Sequence, residues 1–133
     1  MFLPQHPPNN TPSTHAQILS LARNNVKRVE KLEEVAGTLE ELWLSYNDVS
    51  RLDGVLCLKN LRVLYMSNNK IGDVDEIAKL ADLPNLVDVV FYGNPFMVEL
   101  DKASYRREVV KRIPQLSKID GEMITPAERE EAA

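Results

Sequence analysis

The side chains that do covalent or metal chemistry are few in this 133-residue sequence, and they stand apart. His6 and His15 lie in or beside a proline-rich N-terminal stretch, away from the single cysteine, Cys57. A zinc site needs three or four closely spaced ligands; no such spacing exists here, so no metal and no cofactor are expected. Neither the G-x-x-x-x-G-K-[ST] phosphate loop nor the G-x-S-x-G nucleophile elbow occurs. The acidic pairs Glu33-Glu34 and Asp75-Glu76 read as solvated faces rather than as acid–base pairs. Cys57, within Val55-Leu56-Cys57-Leu58, reads as a small buried hydrophobe. Alone, it makes no internal disulfide, which fits a reducing compartment. No catalytic constellation emerges, and the expectation is a protein that is not an enzyme and has no small-molecule substrate.

The chemistry that does recur is that of recognition. Trp43, Tyr46, Tyr65 and Tyr92 are the one tryptophan and three of the four tyrosines. They sit in segments that align without gaps. These are Leu39-Glu-Glu-Leu42-Trp-Leu44-Ser-Tyr-Asn47, Leu61-Arg-Val-Leu64-Tyr-Met66-Ser-Asn-Asn69 and Leu86-Val-Asp-Val89-Val-Phe91-Tyr-Gly-Asn94. An earlier copy has Ala16 in the first leucine slot and continues through Leu19-Ser-Leu21 to Asn24. The copies are 23, 22 and 25 residues apart (16 to 39, 39 to 61, 61 to 86). Such spacing, with an asparagine always in one slot, is the signature of leucine-rich repeats.

These repeats position the aromatics. The L-x-L core of each copy is a short strand whose alternate residues take opposite faces. Leucines point into the coil; the residues between them point to an open, concave sheet. That face holds Glu41, Trp43 and Ser45, then Val63, Tyr65 and Ser67, then Asp88, Val90 and Tyr92, after Ile18, Ser20 and Ala22 in the first, incomplete copy. Tyr46 falls at the rim. The row Trp43, Tyr65, Val90 reads as a protein-binding patch. Cross-strand stabilisation of the sheet is the alternative. The asparagines Asn24, Asn47, Asn69 and Asn94 read as structural, satisfying backbone groups where the chain leaves each strand.

The return segments Val29–Val35 and Val74–Leu80 carry apolar residues three apart and predict short helices, the second capped by Asp73. Leu52–Leu58 is shorter, contains Gly54 and predicts a 3₁₀ or irregular segment. Tyr105, Val109 and Ile113 share one side of a helix that Pro114 ends, a capping segment. The fold class is therefore α/β: a leucine-rich-repeat solenoid with a concave parallel sheet, convex short helices and a C-terminal helical cap. Residues 1–15 read as a disordered proline-rich tail, 16–100 as about four repeats, 101–124 as the cap and 125–133 as a charged, frayed tail. On the cap, Lys102, Arg106, Arg107, Lys111 and Arg112 read either as a basic contact surface or as an ordinary solvated face. The net charge of −4 argues against nucleic acid as partner. No apolar run approaches the roughly 20 residues of a membrane span. Met1 to Thr14 lacks the basic start and apolar core of a signal peptide, so a soluble cytoplasmic protein is the expectation.

The segments 38–47 and 61–69, together with Gly93-Asn94-Pro95, resemble the leucine-rich-repeat light chain 1 family of axonemal outer-arm dynein. Trp43, Tyr46, Tyr65 and Met66 make the likeness more specific than leucines and asparagines alone. The similarity runs from about Gln17 to Gly121. It implies a cytoskeletal subunit of the ciliary or flagellar axoneme that docks by its sheet face on the microtubule-binding region of a dynein heavy chain and tunes motor–microtubule interaction. Glu41, Trp43, Tyr46, Val63, Tyr65, Asp88, Val90 and Tyr92 would meet the heavy chain, and Arg107 and Lys111 would be the side towards tubulin. Family members carry a helical cap and further repeats before the segment matching Ala16, where this sequence has its prolines. The repeats alone also suit a regulatory subunit of a protein phosphatase or a ribonucleoprotein-associated repeat protein.

Overall fold

The computed structural model describes residues 16–133; the proline-rich stretch 1–15 lies outside the described residues. Four three-residue strands, β1 (Ile18–Ser20), β2 (Glu41–Trp43), β3 (Val63–Tyr65) and β4 (Asp88–Val90), form a parallel sheet in chain order. The register is the one the repeat predicts: Leu19, Leu42, Leu64 and Val89 make one row across the strands, and Ser20, Trp43, Tyr65 and Val90 make the next. The inward residues are sealed. Leu39, Leu42, Leu44, Leu61, Leu64, Met66, Leu86, Val89 and Phe91 are all 0% exposed. Burying each such side chain contributes about 1.5–3 kcal/mol, and the core is one continuous stack along the coils.

The convex side is mostly 3₁₀ rather than α-helical. The helix expected over Val29–Val35 is only a turn at Glu33–Val35, because Lys31 takes a left-handed φ of 62° and breaks any longer helix. Val29, Leu32 and Val35 are buried all the same. Asp53–Val55 is a 3₁₀ turn, as its length suggested. Helix α1 (Val74–Ile77) continues as a 3₁₀ turn over Ala78–Asp82, and the Asp73 side chain caps it by accepting from the Asp75 amide. Cys57 is exposed, contrary to expectation. The turn brings Leu52, Val55 and Leu58 inwards at intervals of three, which leaves Cys57 facing out. Burial against neighbouring groups and the charge of Glu33 push its thiol up, away from the reactive thiolate.

The C-terminal end differs most from its sequence reading. Helix α2 (Lys102–Arg112) buries Tyr105, Val109 and Val110, with Ile113 just beyond its end. Strand β5 (Lys118–Ile119) then adds to the sheet in parallel, and β6 (Glu122–Met123) folds back on it antiparallel. Residues 125–133, expected to fray, contain helix α3 (Pro126–Ala132), which packs on α2. A capping box fixes its start: Thr125 accepts from the Glu128 amide while the Glu128 carboxylate accepts from the Thr125 amide.

Candidate functional site

Each strand leaves the sheet through one repeated turn. The residue before each repeat asparagine is left-handed: Arg23 at 59°, Tyr46 at 61°, Asn68 at 57° and Gly93 at 86°. A side chain at Gly93 would also overlap the amide of Asn68, so the fourth copy takes the glycine that the other three do without. The asparagines then join one coil to the next. Asn69 donates to the carbonyls of Leu44, Met66 and Ser67 and accepts from the Val49 amide at 3.0 Å. Asn47 does the same between the first and second coils, and Asn94 between the third and fourth. Among the described residues, Asn24 donates within its own turn, to Leu21 and Ala22.

This spine fixes the outward residues of the sheet. Trp43 and Tyr65 stack with ring centroids 6.1 Å apart and planes inclined by 19°. Trp43 Nε1 donates to Glu41 Oε1 at 3.2 Å, which holds ring and carboxylate together. Beyond the strand ends, Ser67 Oγ donates to Ser45 Oγ at 2.8 Å. Val90 ends the aromatic row, half-buried. Val63 is 8% exposed, so it is a floor between neighbours rather than a projecting contact. Tyr46 at the rim is 49% exposed, with the Arg23 guanidinium 4.4 Å from its ring centroid. Tyr92 is 63% exposed beyond β4.

The face is acidic at its centre. Burial pushes the Asp88 carboxyl above the usual range, and Glu41 adds to this; Lys118 and Arg62 pull the other way and do not cancel it. Burial, then Asp88 and Glu41, raise the Tyr65 hydroxyl. No group of three or more metal-ligating side chains occurs among the described residues, and no described helix is long and apolar enough to cross a membrane.

The cap basics separate. Arg106 is buried, not solvated, and is tied to Glu128 and to the carbonyls of Ile119, Glu122 and Met123. Arg112 pairs with Glu108 at 2.6 Å and reaches Asp75 at 3.4 Å. Arg107, half-buried, touches Ser104, and Lys111 is exposed. Glu76 is no solvated acid either: it accepts from the Leu52 amide at 2.7 Å and pairs with Lys79, clasping two coils.

Residues 37–79 match the model of the leucine-rich-repeat family described as two repeat copies. The fold is a leucine-rich-repeat solenoid. A solved Drosophila melanogaster SNF/U2A′ complex contains a chain with this fold, at a TM-score of 0.66 and 19% identity over 86% of this chain and 78% of that one. In sequence the leucine-rich-repeat chain resembles dynein axonemal light chain 1. It is 52% identical to the Chlamydomonas reinhardtii protein over 87% of this chain and 61% of the relative. It is 49% identical to the Danio rerio protein over 86% of this chain and 60% of the relative. The chain thus spans about three fifths of the length of these curated relatives.

Two features of the site escaped the sequence reading. Lys118 joins the concave row through β5, a strand too short to show in hydrophobic patterning. Asp120 seals the last coil: one oxygen accepts from the amides of Phe91 and Tyr92, the other from the Tyr105 hydroxyl at 2.8 Å. Its register is that of Val90, yet it is already left-handed at a φ of 51°, so the last coil turns off its strand earlier than the others do.

Proposed function

We propose that this leucine-rich-repeat solenoid is a non-catalytic subunit of an axonemal dynein, working in the cytoskeleton of a cilium or flagellum. It docks through its concave sheet on the microtubule-binding region of a dynein heavy chain and tunes how the motor meets its track. The carrying observation is the Trp43–Tyr65 stack on an open face whose core is already filled by leucines. Large aromatics that the core does not use, set in a row on a stiff sheet, are the usual anchors of protein interfaces. The 52% identity to a protein named dynein axonemal light chain 1 supplies the class of partner. Glu41, Val63, Asp88 and Val90 surround the stack, and Tyr46 and Tyr92 extend it at the sheet's margin. Arg107 and Lys111, on the outer side of α2, are the side offered to tubulin.

The test pairs the purified full chain with the microtubule-binding fragment of an outer-arm heavy chain. Trp43→Ala should weaken binding by about 2 kcal/mol, as a hot spot does. It should leave unfolding within about 1 kcal/mol of the parent, the scale of a lost aromatic contact. Parent-like affinity in the variant, or loss of folding with unchanged binding by the fraction that stays folded, refutes docking through this face.

A further inference from the structure

One row of the open sheet runs Ile18, Glu41, Val63, Asp88, Lys118. Parallel strands lie about 4.8 Å apart, so the backbones of Glu41 and Asp88, two strands apart, are separated by about 9.6 Å. Val63 forms the floor between them, and the stacked Trp43 and Tyr65 form the adjoining wall. The result is an open notch with an apolar base, an aromatic side and a carboxylate at each end.

Among the described residues, neither carboxylate is used up. Glu41 is steadied through one oxygen by Trp43 Nε1, and its other oxygen has no hydrogen bond among the described residues. Asp88 makes no ion pair or hydrogen bond among the described residues. Lys118, its neighbour in the row, and Arg62 act on it only through space, and Arg62 leans towards Glu40. At half-buried Asp88 burial is the larger cost and repulsion from Glu41 adds to it, with Lys118 and Arg62 offsetting only part. A partner that brings a cation relieves both costs.

We propose that the notch receives an arginine of the docked partner, its guanidinium seated over Val63 beside Tyr65 and bridging Glu41 and Asp88. This rests on the docking reading above and names the chemistry that reading requires of the heavy-chain segment. Arginine fits where lysine does not. A guanidinium presents donors along more than one edge and engages two separated carboxylates, while its plane lies against an aromatic ring. An ammonium is a compact charge that satisfies one acid and leaves the other. Burial raises the Tyr65 hydroxyl first, and the charges of Asp88 and Glu41 at that seat add to it.

The experiment uses the full chain and the heavy-chain microtubule-binding fragment. Glu41→Gln/Asp88→Asn keeps shape and removes both charges. It should lower affinity at least tenfold and flatten the dependence on salt, with an unfolding midpoint at or above that of the parent. An arginine-to-lysine scan of the fragment should find one position that loses about fivefold against the parent and nothing against the neutral double variant. Two results overturn the notch while leaving the docking face intact: parent-like binding by the neutral variant when Trp43→Ala binds weakly, or no coupled arginine. Parent-like binding by Trp43→Ala as well overturns the docking face and the notch together.

Discussion

The ion pair that fastens the last helix is open to a quantitative test. Arg106 on α2 is 5% exposed, and Glu128 on α3 approaches it through two contacts, Nε to Oε2 at 2.5 Å and Nη2 to Oε1 at 3.2 Å. The remaining donors go to the carbonyls of Ile119, Glu122 and Met123, so the same guanidinium also closes the β5–β6 hairpin. Hydrogen bonding from Arg106 holds the Glu128 carboxyl at about 2, against an ordinary 4.5. That displacement corresponds to about 3 kcal/mol. Glu128 is 25% exposed, and water screens part of the interaction, so about 2 kcal/mol is the expected cost of Glu128→Gln. Glutamine preserves the shape and the capping box; what it removes is the counter-charge of a buried guanidinium. The folded pKa is the lower one, so this stabilisation is complete above about pH 4.5 and is lost as pH falls towards 2. Urea unfolding of parent and variant at pH 7 should differ by about 2 kcal/mol, and the difference should shrink steadily between pH 4.5 and pH 2. Equal stability at pH 7, or a difference that persists at pH 2, would show that α3 is held by its apolar contacts and its cap alone.

The coils make two further predictions. Asn69→Ala should cost about 3 kcal/mol in urea unfolding, since it strands the Val49 amide and the carbonyls of Leu44 and Met66 inside the spine; a loss below 1 kcal/mol would mean that water replaces the amide. Gly54→Ala should cost about 2–3 kcal/mol, because an added Cβ would overlap the Val29 carbonyl of the preceding coil; an unchanged thermal midpoint would show that the first coil yields to it freely.

The solenoid was legible because its signal repeats. A leucine slot recurring every 22 to 25 residues carries the same information several times over, and the structure places every one of those side chains between Leu39 and Phe91 in the core. The concave residues followed, since strand alternation leaves no freedom once the inward set is known. Features that occur once were not legible. Nothing in Glu128-Arg-Glu-Glu-Ala-Ala marks it as ordered until Thr125 and Glu128 are seen as a capping box and Arg106 as the buried partner. Sequence spacing put Arg106 with the other basics of α2, yet it lies one residue from Tyr105 at the edge of the buried side, where carbonyls of the hairpin converge on it. Cys57 failed for a different reason. Four apolar residues in a row cannot all face inwards from a 3₁₀ turn, and composition does not say which is left out.

Strands of three residues give the sheet few ladder hydrogen bonds, so strand pairing alone does not fix its outer face. The spacing of Trp43, Tyr65 and Asp88 is set from behind, by Leu42, Leu64 and Val89 stacked without exposure and by asparagines that tie each turn to the one before. Close-packed interiors transmit small changes of volume instead of absorbing them. If the face docks as proposed, it does so already ordered, and little conformational entropy remains to be lost. It also means that recognition and stability are divided between the two sides of the same strands. Inward substitutions act on the face by moving coils relative to one another, whereas outward ones change the face itself and, on the docking proposed above, the contact it makes.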